Sequence, residues 1–508
     1  MKSLTKNVGL AFLARIVSML AGLVVQRYIL VAYGSTYNGL TSSISQILSY
    51  LVLLEAGLSA ASIQALYKPL SESKWEETSG IVKATAISYR HVAYVFAFLL
   101  IGVSLLVPII VSNEIDFLVA GLLTLVTGSS QIVVYFLGGK YIALLTADRK
   151  IYIRYLVNII TTSMSAILRV IALNAGTNIV IVQAIHLLCV FFENFILLFY
   201  VKVKYKKLTN KCRPAFYAIG KRWNVLIHNI AGLVVNHTDV VLLTVFDSLK
   251  TVSIYSVYNN IFVQISNMIQ NVFLQAPQGN FGIKYAKDKN EYNKSYHIYE
   301  TLFTIVLFII ASCGLVLALS FVSIYTRGIP DADNYTEFAL PVLFALILLM
   351  NQIRIPVLIT INSTGSYKET QNGAIVEAII NLSVSLMLYF FTPLGMYGML
   401  IGTIASYIYR TTELIVFTYR KLLKQPLYDY LRLIITNLTM FLLVFVVFYI
   451  WAPIHADGYV EWIVKAFIIC ILLSILYLCM NLLLNYKDTK NSIVYIFGVI
   501  RKQIRRTK

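Results

Sequence analysis

The chain has 508 residues, 58% of them hydrophobic and only 13% charged, with a formal net charge of +19 and a mean hydropathy of +0.75. A soluble core of this size cannot bury so much apolar surface, so the composition implies lipid as solvent. The apolar runs are continuous rather than alternating, which disfavours a closed β-barrel.

A helix crosses a bilayer with about 20 apolar residues. The chain is therefore predicted to be an all-α integral membrane protein of about fourteen transmembrane helices. They fall at roughly 7–31, 38–66, 84–110, 115–139, 151–173, 178–201, 223–247, 251–276, 297–325, 338–361, 371–391, 395–419, 428–452 and 462–485. The first is too long for a signal peptide and is interrupted by Arg15, so it is read as a mature helix. Arg15, Gly22 and Gln26 share one of its faces, and Arg27 lies about 120° away, where it can snorkel outward.

The second span carries Ser42, Gln46 and Ser49, then Glu55; the fifth carries Arg169 and the sixth Glu193. On the seventh, His228 and Asp239 share a face but lie roughly 16 Å apart along the axis, too far to pair directly, and His237 stands beside them. His228 and Asp239 suit a proton or sodium relay or a structural role. The eighth span holds Asn260, Gln264, Asn267, Asn271 and Gln275 at steps of four, three, four and four, which places five amides on one face of a regular helix. Such a face avoids lipid and suits either a hydrated, sugar-binding wall or interhelical hydrogen bonding. In the tenth span Arg354 follows Asn351 and Gln352 and precedes Pro356 by two residues; Glu377 lies in the eleventh, and Arg410 and Glu413 in the twelfth read as a helical ion pair.

An internal repeat organises these spans. Ala21-Gly22-Leu23-Val24-Val25 in the first span recurs as Ala231-Gly232-Leu233-Val234-Val235 in the seventh, and Tyr37, Ser42, Gln46 and Ser49 align with Tyr255, Asn260, Gln264 and Asn267. Parallel repeats of this kind predict two six-helix lobes, 1–205 and 223–422, joined by a basic cytoplasmic linker, 206–222. Helices thirteen and fourteen follow in 423–486, and a basic cytoplasmic tail in 487–508.

With the N-terminus inside, the basic residues collect on one side, as in Lys202, Lys204, Lys206, Lys207, Lys211, Arg213, Lys221 and Arg222, and in the tail Arg501, Lys502, Arg505, Arg506 and Lys508. The opposite loops carry Glu114, Asp116, Asp247, Asp331, Asp333, Glu337, Asp457 and Glu461, with Lys250 and Arg327 as basic exceptions. This asymmetry places both termini in the cytoplasm and assigns the charge to topology and anionic lipid, not to nucleic acid. The cysteines, Cys189, Cys212, Cys313, Cys470 and Cys479, show neither a disulfide framework nor a metal-ligand spacing. No Walker loop and no extramembrane segment large enough for a catalytic domain are present, so neither a cofactor nor an enzymatic activity is expected.

Three stretches carry a family resemblance. They are Tyr33-Gly34 through Tyr37-Asn38-Gly39-Leu40 with Leu54-Glu55-Ala56-Gly57-Leu58, Thr238-Asp239 through Tyr255-Ser256-Val257-Tyr258, and Ile361-Asn362-Ser363-Thr364-Gly365 with Asn381-Leu382-Ser383 and Gly395-Met396-Tyr397-Gly398 through Gly402-Thr403. In this order the chain resembles the polysaccharide flippases of the multidrug/oligosaccharidyl-lipid/polysaccharide exporter superfamily. The resemblance implies translocation of a polyprenyl-pyrophosphate-linked oligosaccharide across the bacterial plasma membrane by alternating access, for capsular or other surface polysaccharide. It also implies glycosyltransferases and a polymerase as pathway partners.

On that reading Arg15, Arg354 and Arg27 would meet pyrophosphate, and Asn260, Gln264, Asn267, Asn271, Gln275 and Gln46 the sugars. Asp239, His228 and Glu55 would serve ion coupling, although Glu55 stands where the family usually has an apolar or small residue. The alternatives are a multidrug cation antiporter of the same superfamily and, against the short outer loops, a membrane glycan polymerase.

Overall fold

The computed structural model describes residues 2–55, 57–209, 211–219, 223–451, 453–492 and 494. The predicted basic residues Lys221 and Arg222 and the predicted tail beyond residue 494 lie outside these. With no water in the hydrocarbon, each spanning segment must satisfy its backbone internally, and among the described residues the chain does so with helices alone.

The helices follow in order: α1 (Lys2–Leu51), α2 (Leu58–Ser71), α3 (Trp75–Ile110), α4 (Phe117–Val133), α5 (Gly139–Ala147), α6 (Tyr152–Asn174), α7 (Ile179–Lys204), α8 (Trp223–Phe246) and α9 (Leu249–Ile269). Then come α10 (Ala276–Lys287), α11 (Lys289–Tyr325), α12 (Ala339–Gln352), α13 (Ile355–Thr364), α14 (Tyr367–Phe391), α15 (Met396–Phe417), α16 (Tyr428–Val444) and α17 (Tyr459–Leu484). Several helices start where a short polar side chain accepts from the first free N–H groups. Asp116 does this for α4, Asn178 for α7 and Asp288 for α11.

Each predicted span has a helical counterpart. Among the described residues, 10 helical stretches are long and apolar enough to cross a membrane. One of them, Gly9–Glu55, takes in most of α1 and the short turn after it, and holds the first span and most of the second, which meet at a kink where Gly34 (φ 78°, ψ −177°) leaves helical geometry. The seventh span is α8, apolar over Val235–Phe246. The eighth, α9 with α10, is diluted by its amides, and the twelfth, α15, by Arg410 and Glu413. The protein is thus an all-α, multi-pass membrane protein whose apolar side chains face outward, as with Phe391 at 83% exposure.

The chain divides into two compact units, Met1–Ser256 and Val257–Lys508. In the first, Tyr89 stacks on Tyr135 at 5.9 Å, and Phe96 meets the edge of the same ring at 5.6 Å. A short π segment, Val134–Gly138, interrupts α4 and α5 beside them. Asn38 of α1 donates to Ser253 of α9 at 2.6 Å, and Ser43 lies 2.6 Å from Thr244 of α8.

In the second unit α11 is the central helix, packed against α12, α16 and α17. Phe308 on α11 meets Phe441 and Tyr477, and Ser312 bonds the Tyr477 hydroxyl at 2.8 Å. Between α16 and α17 two buried asparagines bond each other reciprocally. Asn437 Nδ2 donates to Asn481 Oδ1 at 3.2 Å, and Asn481 Nδ2 donates to Asn437 Oδ1 at 2.9 Å. Asn485 extends the ladder, donating to Asn481 Oδ1 at 3.1 Å.

Candidate functional site

In the second unit the tenth predicted span is broken between α12 and α13, with Pro356 in the first turn of the new helix and Arg354 at the break. Arg354 Nη1 donates to Glu377 Oε1 of α14 at 2.9 Å, and its Nη2 and Nε donate to Asn351 Oδ1 and O at 2.6 and 3.1 Å. The guanidinium also lies 5.1 Å from the centre of the Tyr407 ring. Glu377 Oε2 lies 3.5 Å from Arg410 Nε on α15, and Arg410 Nη1 pairs with Glu413. The expected Arg410–Glu413 pair is therefore one half of a four-member network, Arg354–Glu377–Arg410–Glu413, whose formal charges cancel. Removing any one of the inner charges leaves another stranded in a low-dielectric setting.

The amide face lies in the same unit from residue 257 onward. Tyr258 and Phe262 stack on Phe344 of α12, so the apolar side of α9 is buried and Asn260, Gln264 and Asn267 sit half-buried on the other side. Regular α-helical register ends at Ile269. A π segment, Gln270–Gln275, then carries Asn271 and Gln275, both exposed. The single straight face expected of five amides therefore holds for the first three, because a π turn shifts the register beyond them.

In the first unit Arg15 is exposed on α1, and Arg27 is half-buried. Gln46 is bonded to His237 of α8, and Tyr50 bonds Thr238 at 2.7 Å. Asp239 is buried and accepts from the Tyr255 hydroxyl at 3.0 Å. The side chain of His228, its predicted relay partner, lies outside the described part of the structure. Glu55 closes a 3₁₀ turn, Val52–Glu55, that breaks the second span ahead of Gly57 (φ 80°). There it accepts from the Tyr89 hydroxyl at 2.6 Å. The unit thus brings Gln46 and Asp239 to the packing of α1 with α8 and leaves Glu55 at a separate, aromatic node.

Two features were not assigned from the sequence. Glu377 bridges two arginines, although Glu377, Asn381 and Ser385 recur every four residues on one buried face of α14, a stride visible in the sequence. The other is a polar seam between α6 and α7. Some residues of the family resemblance lie at helix contacts. A Cβ at Gly39 would meet Leu249 O at 1.8 Å, one at Gly402 would meet Ser385 N at 2.6 Å, and Asn381 donates to Thr403 at 2.9 Å.

No family model matches the sequence, and no curated protein is similar to it in sequence. The fold does have relatives among solved structures. The lipid II flippase MurJ in an inward closed conformation matches with a TM-score of 0.67 at 13% identity, over 93% of this chain and 98% of that one. The chain has the fold of the multidrug/oligosaccharidyl-lipid/polysaccharide exporter superfamily. An inward-facing multidrug resistance MATE family transporter shares the exporter fold with a TM-score of 0.64 at 12% identity, over 78% of this chain and 94% of its own. A eukaryotic MATE transporter shares it with a TM-score of 0.52 at 13% identity, over 84% of this chain and 98% of its own.

Proposed function

We propose that this exporter fold serves a flippase, which moves a polyprenyl-pyrophosphate-linked oligosaccharide from the inner to the outer leaflet of a bacterial plasma membrane for surface polysaccharide synthesis. The observation that carries the reading is coverage. The lipid II flippase accounts for 93% of this chain and the MATE transporter for 78%. The smaller coverage runs in the direction expected if α16 and α17 are shared with the flippase and lacking in the transporters, of which the eukaryotic one accounts for 84% of this chain.

Arg354 stands where a polar headgroup needs positive charge. An arriving pyrophosphate takes the guanidinium from Glu377 by bidentate hydrogen bonding. Arg410 remains beside Glu377, so the carboxylate is not abandoned when Arg354 changes partner. Arg15 and Arg27 on α1 are further candidate phosphate contacts, and the half-buried amides of α9 offer donors and acceptors to sugar hydroxyls. Asp239 and Glu55 are available to ion coupling. The polar head is thereby spared the hydrocarbon, while the prenyl tail remains in lipid. Glycosyltransferases and a polymerase of the same pathway supply and consume the lipid-linked unit, and both termini lie in the cytoplasm.

The test is surface polysaccharide in the native host. Arg15→Ala and Asn267→Leu each remove it while leaving the protein in the membrane, and full polysaccharide with both changes overturns the reading. The fold likeness to multidrug transporters keeps a second reading, export of cationic compounds, whose signature is drug resistance on expression.

A further inference from the structure

The second unit holds a cavity of about 490 Å³ between α11, α16 and the segment that follows α17. That volume suits a small molecule or a headgroup. The cavity lies where the ninth and thirteenth predicted spans begin and just beyond the end of the fourteenth. In the topology expected from the loops, this is the headgroup level of the inner leaflet. None of the residues proposed for the substrate lines it.

Most of its buried wall is satisfied. Glu300 of α11 is buried and accepts from the Tyr296 hydroxyl at 2.9 Å and the Tyr419 hydroxyl at 2.5 Å, and His297 lies between Glu300 and Gln425. Tyr430 of α16 is the exception. It is 4% exposed and packs its ring against Tyr419 at 5.4 Å, yet its hydroxyl has no hydrogen-bond partner among the described residues. A buried hydroxyl in a folded protein normally has one. Nearer solvent, the cavity is lined by Asp429 of α16, Asp488 beyond α17 and Lys294 of α11, all exposed. Ile298, Leu433 and Val494 supply an apolar portion.

The charges select the ligand. Three carboxylates face one lysine and one histidine, the reverse of the basic pockets that hold anionic headgroups. Glu300 already has two hydroxyl donors, so Asp429 and Asp488 are left to meet a cation, and Lys294 to meet an anionic oxygen. Among the described residues no group of three His, Cys, Asp or Glu side chains is placed to hold a metal ion. A quaternary ammonium needs an aromatic cage, and Tyr430 is the one tyrosine among the described lining residues.

We propose that the cavity binds a primary ammonium linked to a phosphate, the chemistry of an ethanolamine phospholipid headgroup. The ammonium donates to Asp429 and Asp488, the phosphate faces Lys294, and the Tyr430 hydroxyl gains the partner that the protein does not give it. The acyl chains continue along the outer faces of α16 and α17, where Leu431, Ile435 and Leu484 are exposed. The binding is independent of the transport proposed above.

The full-length protein in detergent is offered equal amounts of phosphatidylethanolamine, phosphatidylcholine and phosphatidylglycerol, and the retained lipid is identified by native mass spectrometry. Preferential retention of the ethanolamine lipid is expected, with affinity lower on the order of tenfold in Asp429→Asn/Asp488→Asn and in Tyr430→Phe. Because the Tyr430 hydroxyl bonds nothing in the protein, Tyr430→Phe should leave the unfolding midpoint of delipidated protein unchanged and reduce the rise that ethanolamine lipid gives the parent. Equal retention of the three lipids overturns the proposal, as does an undiminished ethanolamine preference in either variant. Soluble phosphoethanolamine separates the two sources of this chemistry. Displacement of the lipid by it assigns the site to a free amino-phosphate, and lipid binding that resists it assigns the site to the phospholipid.

Discussion

At the scale of single residues, the charge network at the α12–α13 break is decided by Glu377. Its side chain is 10% exposed and touches Arg354 and Arg410, themselves 17% and 8% exposed. Taking away one member of a buried ion pair costs about 3–5 kcal/mol, because the survivor keeps its desolvation penalty. Glu377→Ala should therefore lower stability by about 3 kcal/mol or more, measured as the shift in thermal unfolding midpoint of detergent-solubilised protein. Glu413→Ala, which leaves Arg410 still beside Glu377, should cost clearly less; equal losses would mean that Glu377 is not the bridge. The sequence shows these four residues as isolated intramembrane charges and pairs only Arg410 with Glu413. The other contacts join residues 23 and 33 positions apart on different helices, and no local spacing encodes them.

At the scale of helices, the spans were legible because lipid imposes one rule on every segment, and hydropathy reports it directly. The interruptions were less so. Gly34, Gly57 and Pro356 announce three of them, whereas the π segment at Gln270–Gln275 is a slip in backbone hydrogen bonding that leaves the pattern of side chains unmarked. That is why the amide stripe reads as one face in the sequence and as a shorter one in the structure. Glycine contacts are legible only once the neighbours are placed. Gly402 of α15 lies against the backbone of Ser385 on α14, whereas a Cβ at Gly22 would meet nothing within 4 Å. Gly402→Ala is accordingly expected to cost about 1–3 kcal/mol through overpacking, and Gly22→Ala to be neutral or slightly stabilising, both read from thermal unfolding. A Gly402→Ala protein as stable as its parent would mean that α14 and α15 do not approach so closely.

At the scale of the whole molecule, fold and sequence part company. At 13% identity the flippase and this chain share an architecture over nearly their full lengths. What is retained is a series of apolar spans with small residues at helix contacts, which many sequences satisfy. Orientation is carried instead by the loops, and the positive-inside asymmetry makes it testable with a cysteine the chain already has. Cys212 lies in the basic linker and is half-exposed. A membrane-impermeant maleimide should leave it unlabelled in intact cells and label it in inverted vesicles, while Asp333→Cys on the predicted outer side behaves in the opposite way. Labelling of Cys212 in intact cells would invert the topology.

The Asn437–Asn481 pair carries a consequence for biogenesis. Each asparagine is flanked by apolar residues of its helix, and a lone amide in hydrocarbon is short of partners until the other helix arrives. The short α16–α17 connection and the reciprocal bonds favour release of the two helices from the insertion machinery as one hairpin, already in register. The pair is then expected to pack on α11 as a preformed hairpin.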